Sequence, residues 1–150
     1  MERPDLREKY REDRDKRLRP DGNDQYVEPT GRFASLLDDP YTEPFERDAI
    51  DEDLGVVLIG AGFAGLVHAA RLVEAGITDL RLVDKAGDVG GVWYWNRYPG
   101  AQCDTAAMIY LPLLEETGTV PSRKYVPAPE IFAHAKRIAE TYDLYDRALL

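Results

Sequence analysis

The apolar positions of this chain fall into two regimes that meet near residue 54. Val56, Val57, Leu58 and Ile59 are apolar without interruption and end at Gly60, the pattern of a short parallel strand buried on both faces. Phe63, Leu66, Val67, Ala70, Leu72 and Val73 then recur at helical spacing, and Gly76 stands where such a helix should stop. Leu80 to Val83, closed by Asp84, predicts a second strand. Strand, helix and strand within about 30 residues form a crossover unit with parallel strands, and hence an α/β fold. From Lys85 to Pro112 no period holds, and Gly87, Gly90, Gly91, Pro99 and Gly100 among aromatics predict a long loop. A last helix is predicted over Glu130 to Tyr142. Pro129 suits its first turn, and Ile131, Phe132, Ala135, Ile138, Ala139 and Tyr142 share one face. Leu144 to Leu150 follows, where another strand is expected.

Residues 1–53 carry the other regime. Up to Arg19 acids and bases interleave, which suits a solvated helix with i to i+4 ion pairs but supplies too few apolar groups to drive packing. Prolines at 20, 29, 40 and 44, with acids in excess, then favour irregular, extended backbone lying on another surface. Tyr26, Val27, Phe33, Leu36, Leu37, Tyr41 and Phe45 are the candidate anchors; the same composition also suits a disordered leader. The division expected from sequence is thus an extension over 1–53 and an α/β segment over 54–150.

Composition narrows the function classes. A length of 150 residues with 44% apolar positions allows one small core. A formal charge of −9 argues against nucleic acid, whose binding rests on Lys and Arg neutralising phosphates. The lone Cys103 cannot form an internal disulfide, and with two histidines it offers no zinc-ligand spacing, so no metal is expected. The charged N-terminus resembles neither a secretory signal nor an anchor, and no apolar run approaches membrane-spanning length. No membrane partner and a reducing, cytoplasmic setting are expected.

The first chemical motif lies where the first strand meets the helix. Gly60, Gly62 and Gly65 match GxGxxG: one for the tight turn, one for close approach of backbone to a pyrophosphate, one for close packing of helix on strand. Free N–H groups at the helix start, around Phe63 and Ala64, then face the phosphates, where the helix dipole also favours negative charge. Asp84 stands 19 residues past Gly65, placed to accept a hydrogen bond from a ribose hydroxyl and to repel a 2′-phosphate. The site should take FAD or NAD rather than NADP. A lone GxGxxG is common, but strand before, helix after and acid at the right distance agree, giving a Rossmann-like dinucleotide unit.

The second motif, AGDVGGVWYWNRYPGAQCD at Ala86 to Asp104, follows directly. Gly90 and Gly91 let a loop pass close to a ligand, and Trp93, Tyr94, Trp95 and Tyr98 form a dense aromatic set suited to a flat ring system. Arg97 adds a possible anion contact. The same aromatics could instead form a mini-core under the loop with no ligand at all. Asp104 could equally cap a helix begun by Thr105-Ala106-Ala107. Cys103 carries no mark of a reactive thiolate, and His68 and His134 fall within predicted helices as packing or surface residues.

Together, GAGFAG, Asp84 and GGVWYWNRYPGAQCD resemble the N-terminal FAD-binding segment of the Baeyer–Villiger monooxygenases, a branch of the class B flavoprotein monooxygenases. The likeness covers about Gly55 to Leu150 and is most specific at Gly90 to Asp104. The later stretch from Ile109 resembles the branch with a long N-terminal extension that acts on large cyclic ketones. The resemblance implies that Gly60, Gly62, Phe63, Ala64 and Gly65 hold the FAD pyrophosphate. Asp84, with Lys85 beside it, would meet the adenosine ribose, and Gly91, Val92, Trp93, Tyr94 and Trp95 would line the flavin, with Tyr110 at its border. Gln102, Cys103 and Asp104 match a tripeptide between flavin and nicotinamide. Asp104 is the candidate for chemistry, with an electrostatic role of orienting an arginine near the flavin. Gln102 stands where many relatives have arginine, which removes a positive charge near the expected NADPH, and Ala106-Ala107 stand where Glu-Ser is frequent.

The implied reaction reduces FAD with NADPH and inserts one atom of molecular oxygen beside the carbonyl of a small-molecule ketone, giving an ester or lactone. It also needs a second dinucleotide site, the family's FxGxxxHxxxW/P linker motif and the partner arginine, none of which is found in this sequence. The expectation is therefore an incomplete FAD-binding domain, inactive alone, completed by a missing C-terminal part or a second chain. Two other readings stand beside it: an N-hydroxylating or sulfide monooxygenase, and a non-catalytic nucleotide-binding half of a split protein.

Overall fold

The structure, a computed structural model, describes residues 5–150, so the first four residues of the expected charged helix lie outside it. Its contacts divide the chain into two compact units, Met1–Asp38 and Asp39–Leu150. In the first, α1 (Leu6–Asp15) is capped by Asp5, whose carboxylate accepts from the Arg7 amide at 3.0 Å. Its surroundings supply ion pairs between Arg14 and Asp15 and between Lys16 and Asp13, at spacings of one and three rather than the expected four. Two 3-10 turns, Gly22–Gln25 and Gly31–Leu37, complete the unit, and no residue of the three elements is buried. The anchors expected there, Tyr26, Val27, Phe33, Leu36 and Leu37, are exposed, and so is Phe45 beyond them. These residues are too scattered along irregular backbone to enclose one another. Of the expected set, Tyr41 makes the specific contacts.

The second unit holds the α/β fold. Strand β1 (Val56–Ile59) runs into α2 (Phe63–Glu74), which returns the chain to β2 (Leu80–Val83), and both strands have the limits expected from sequence. They pair in parallel, Val56 with Leu80 through Ile59 with Val83. Helix α2 stops as Gly76 predicts. With φ at +80°, Gly76 lets its own amide reach the Val73 carbonyl and the Ile77 amide reach Leu72, a Schellman closure. Helix α5 (Ala128–Thr141) begins two residues before the expected Glu130, with Pro129 in its first turn, and closes the same way at Asp143. The chain then adds β3 (Ala148–Leu149), parallel to β2, giving the order β1-β2-β3.

Burial of the sheet differs from the expectation. Val56 and Leu58, with Leu80 and Leu82 beside them, face the helices and pack with Leu66, Ala69 and Ala70 of α2 and Ala135, Ile138 and Ala139 of α5. The opposite face is open: Ile59 is 92% exposed and Val57 is exposed as well. The uninterrupted apolar run marks a parallel strand, as expected, but not one buried on both faces. Among the described residues, helices pack against one side, and on the other Arg81 pairs with Glu52.

The stretch expected as loop contains two one-turn helices, α3 (Val92–Trp95) and α4 (Ala107–Tyr110), too short to leave a period in sequence. They help enclose a second core of Trp93, Ala101, Cys103, Ala107, Leu111, Val126, Ala128 and Ile131. Phe63, in the first turn of α2, packs against both cores and so joins them.

Candidate dinucleotide site

The glycine turn follows from its backbone. Gly60 leaves β1 at φ +105°, a region closed to side chains. A Cβ on Gly65 would lie 1.9 Å from the Gly60 carbonyl oxygen, so only glycine lets α2 start so close to the strand it leaves. Gly62 is the N-terminal cap of α2 and offers no side chain to bond the first turn. The amides of Phe63, Ala64 and Gly65 consequently have no acceptor among the described residues. Three unpaired N–H groups at the positive end of a 12-residue helix are what an anionic pyrophosphate would satisfy.

Asp84 lies at the carboxyl end of β2, across from this turn. One oxygen accepts from the Ala61 amide at 2.7 Å and the other from Ala86 at 3.0 Å. The carboxylate therefore also ties the glycine loop to the next strand, a structural task the spacing did not reveal. Each oxygen keeps a further lone pair for a ribose hydroxyl. Ile59, Gly60, Val83, Asp84 and Lys85 line an open groove of about 400 Å³ at these strand ends, the crevice in which open α/β sheets take ligands. Lys85 is exposed, with its ammonium 5.3 Å from the centre of the Trp95 ring.

The second motif meets the first backbone to backbone, and the Gly90 amide donates to the Ala61 carbonyl at 2.9 Å. Gly91, at φ +54°, would place a Cβ 2.8 Å from the Gly62 Cα, so the loop touches the glycine turn backbone to backbone. Gly90, at φ +120°, leaves the space that the Phe132 ring fills. Val92 follows, exposed. The aromatics after it are not an open platform, which corrects the expectation for Trp93 and Tyr94. Tyr94 is 1% exposed and Trp93 is buried, because a one-turn helix packed on α5 turns both rings inward. Trp93 donates from Nε1 to the Tyr110 hydroxyl at 2.8 Å, and Phe63 packs edge-on against Tyr110. The aromatic mini-core thus forms, and beside it the backbone of Gly91 and Val92 and half-buried Trp95 remain at the surface.

Residues 101–103 form a short antiparallel contact with 126–128: Gln102 bridges Pro127, and the Ala128 amide donates to Ala101 at 2.8 Å. This buries Cys103 in the second core and leaves Gln102 and Asp104 exposed on either side of it. Asp104 does not cap a helix, since α4 begins at Ala107 with Ala106 as its uncapped N-terminus. Its carboxylate is therefore not spent on local backbone. His134 is buried: Nε2 donates to the Pro112 carbonyl at 2.6 Å and Nδ1 faces the Thr119 hydroxyl at 3.2 Å. Burial, with Arg137 nearby, lowers its pKa despite the Pro112 bond, and it serves to fasten α5 to the 112–119 turn. His68, exposed, bonds the Ala64 carbonyl within its own helix.

Sequence reasoning named Tyr41 as an anchor but missed its neighbours Asp39 and Thr42. Asp39, Tyr41 and Thr42 lie against the second motif, with Asp39 and Thr42 bonded to the Tyr94 hydroxyl and Tyr41 bonded to the Trp95 carbonyl. Their partners lie more than 50 residues away along the chain, and no local pattern announces such pairs. No cluster of three metal-ligating side chains occurs among the described residues, and no described helix is long and apolar enough to cross a membrane.

Comparison with known proteins agrees with this geometry. Residues 58–119 match the NAD(P)-binding Rossmann-like domain model. The chain is 56% identical over 146 residues to neopentalenolactone D synthase of Streptomyces avermitilis, covering 97% of this chain and 25% of that protein. It is 48% identical over 145 residues to a Baeyer–Villiger monooxygenase of Streptomyces coelicolor, covering 96% and 24%. Among solved structures it resembles the polycyclic ketone monooxygenase of Thermothelomyces thermophila, with TM-score 0.79, 41% identity and coverage of 95% of this chain and 24% of that one. A complex of OTEMO with FAD and NADP matches with TM-score 0.59 and 31% identity over 64% of this chain and 18% of that one. The chain thus spans about a quarter of the length of the relatives it matches. With these likenesses running through both motifs, the chain corresponds to an N-terminal segment of the larger Baeyer–Villiger monooxygenases.

Proposed function

We propose that this chain forms the FAD-binding N-terminal part of an NADPH- and oxygen-dependent monooxygenase that converts a bulky cyclic ketone to an ester or lactone. The observation that carries the reading is the contact of Gly62 with Gly91, which brings the pyrophosphate-type turn and the aromatic loop into one surface. The residues fit the cofactor. Unpaired amides at Phe63, Ala64 and Gly65 suit its pyrophosphate, Asp84 its ribose, and Gly91 and Val92 the approach of a flat ring. FAD held there would supply the electron transfer and oxygen chemistry that no side chain here can perform.

The chain's own part is binding and electrostatics. The helix α2 terminus neutralises phosphate charge, and Asp84 fixes the ribose while bracing the turn through Ala61. Trp93, Phe63 and Tyr110 form a dry backing that keeps the loop at one distance from the turn. Asp104, exposed and free of capping duty, is the residue we assign to orient a cation beside the flavin, its role being positional. Gln102 and Cys103 shape the same edge, Cys103 through its backbone. NADPH would be held by sequence other than the turn at Gly60, where Asp84 disfavours a 2′-phosphate. Ketone and oxygen are small-molecule partners of the whole enzyme.

The test uses a protein of full family length that carries this sequence. It should be yellow, show a flavin spectrum and oxidise NADPH faster when a bulky cyclic ketone is added. A colourless protein, or a yellow one indifferent to every such ketone, contradicts the reading. Asp104→Ala should slow ketone oxygenation by about 100-fold, the scale of losing one preorganised electrostatic group, while FAD affinity stays within about two-fold. Equal loss of both would make Asp104 a structural residue.

A further inference from the structure

The loop that would face the flavin has little regular structure of its own, yet one buried hydroxyl fixes its centre. Tyr94 lies in α3, and its phenol tip is surrounded by polar groups from elsewhere in the chain. The Tyr94 hydroxyl donates to Asp39 Oδ2 at 2.5 Å and accepts from the Thr42 hydroxyl at 2.9 Å and the Gly87 amide at 3.2 Å. The Gly87 amide also reaches Asp39 Oδ2 at 3.0 Å, and the Tyr41 amide donates to Asp39 Oδ1 at 2.8 Å. A Cβ on Gly87 would lie 2.0 Å from the Thr42 hydroxyl oxygen, so this glycine admits residues 39–42 against the loop. Tyr41 adds a hydrogen bond to the Trp95 carbonyl at 3.2 Å. The Arg97 guanidinium lies 3.9 Å from the Tyr41 ring centre, 4.5 Å from Tyr94 and 4.8 Å from Phe132 of α5.

We infer that residues 39–42 act as a strap that sets the spacing between the glycine turn and the flavin-facing loop, with Asp39 as its positioning residue. The inference rests on the FAD reading above. The mechanical link is short. Tyr94 and Trp95 both donate their amides to Gly91, the N-terminal cap of α3, at 2.9 and 3.1 Å, and Gly91 touches Gly62. Moving the Tyr94 side chain therefore moves the backbone that abuts the pyrophosphate turn. Asp39 suits this task because a charged acceptor forms roughly twice as strong a hydrogen bond as a neutral one, and leaving a buried phenol unpaired is costly. Burial opposes its charge, yet the bonds from Tyr94, Tyr41 and Gly87 outweigh that and hold its pKa below the usual carboxylate range.

The experiment compares Asp39→Ala, Asp39→Asn and Tyr94→Phe with the parent in a protein of full family length, by amide hydrogen exchange without cofactor and by FAD affinity. Asp39→Ala should speed exchange of residues 86–98 about ten-fold and weaken FAD by a similar factor, with exchange in β1 and β2 unchanged. Asp39→Asn, which keeps an acceptor, should recover part of both. Tyr94→Phe keeps the ring and removes only the hydroxyl, so it reproduces the effect if Asp39→Ala fails to fold. In the double variant Asp39→Ala/Tyr94→Phe the losses should not add. Exchange and FAD affinity within two-fold of the parent in Tyr94→Phe, or additive losses, would overturn the strap. Failure of the parent to bind FAD would sink the functional reading instead, while the exchange arm still judges the strap as a fastening of the loop.

Discussion

The crossover unit from Val56 to Asp84 and the loop from Lys85 to Pro127 are held by different means, and the difference bears on where this site is vulnerable. In the crossover unit the backbone does most of the work: a parallel ladder, a capped helix stop and close packing of glycine on carbonyl. In the loop, beside backbone turns and the contact of 101–103 with 126–128, particular side chains tie the chain to distant residues. Tyr94 is tied to Asp39, Trp93 to Tyr110 and His134 to Pro112. A ladder spreads a perturbation over several bonds, whereas a single side-chain tie passes it on whole. Substitutions in the first region should therefore act on folding, and those in the second on the site.

Gly65→Ala tests the first half of that statement with the largest expected effect. The added methyl meets the Gly60 carbonyl at 1.9 Å, too close for side-chain adjustment to relieve. It should cost about 3 kcal/mol of folding stability and remove bound flavin, seen as a lowered thermal transition and a colourless protein. An unchanged transition would break the comparison. Gly91→Ala tests the second half. Here the cost divides between a positive-φ backbone that side chains rarely adopt, about 1–3 kcal/mol, and a Cβ pressed on Gly62. FAD affinity should fall by about ten-fold or more while the exchange of β1 and β2 amides stays as in the parent.

A smaller effect should appear with pH. His134 is held neutral in the fold, its pKa lowered from the ordinary 6.5 by burial and Arg137, so the unfolded chain binds a proton more readily than the native one. Stability linked to this group is full above pH 6.5 and is lost as pH falls through the native pKa. His134→Gln should flatten that part of the thermal-transition profile, and an equally steep profile in the variant would show that other groups dominate. Least of all should come from Ile59→Ser on the open face of β1. With that side chain 92% exposed, the isolated segment should change by less than about 0.5 kcal/mol. A markedly larger loss in a protein of full family length would mean that this face is covered there.

The same contrast explains what the sequence made legible. β1, α2 and β2 carry period, stop signal and motif within their own residues, so their limits could be drawn without coordinates. The one-turn helices at Val92 and Ala107 are shorter than any period, and the inward turn of Trp93 and Tyr94 depends on α5 passing beneath them. Asp84 was legible as a candidate for the ribose through its distance from Gly65, but its bond to Ala61 was not, since that depends on how β1 and β2 align. Asp39 was invisible because its partner lies 55 residues on. Composition changes near residue 54, whereas among the described residues the chain first makes long-range side-chain bonds at Asp39, again through partners distant in sequence.

The central claim is that the turn at Gly60 and the loop at Gly91 form one FAD site. Titrating FAD into a cofactor-free protein of full family length, and following its visible spectrum in the parent and in Gly91→Ala, tests this most directly. The account predicts saturable binding with a changed flavin band in the parent and an affinity at least about ten-fold weaker in the variant. Equal affinity in the two, or no flavin bound by the parent, would contradict it.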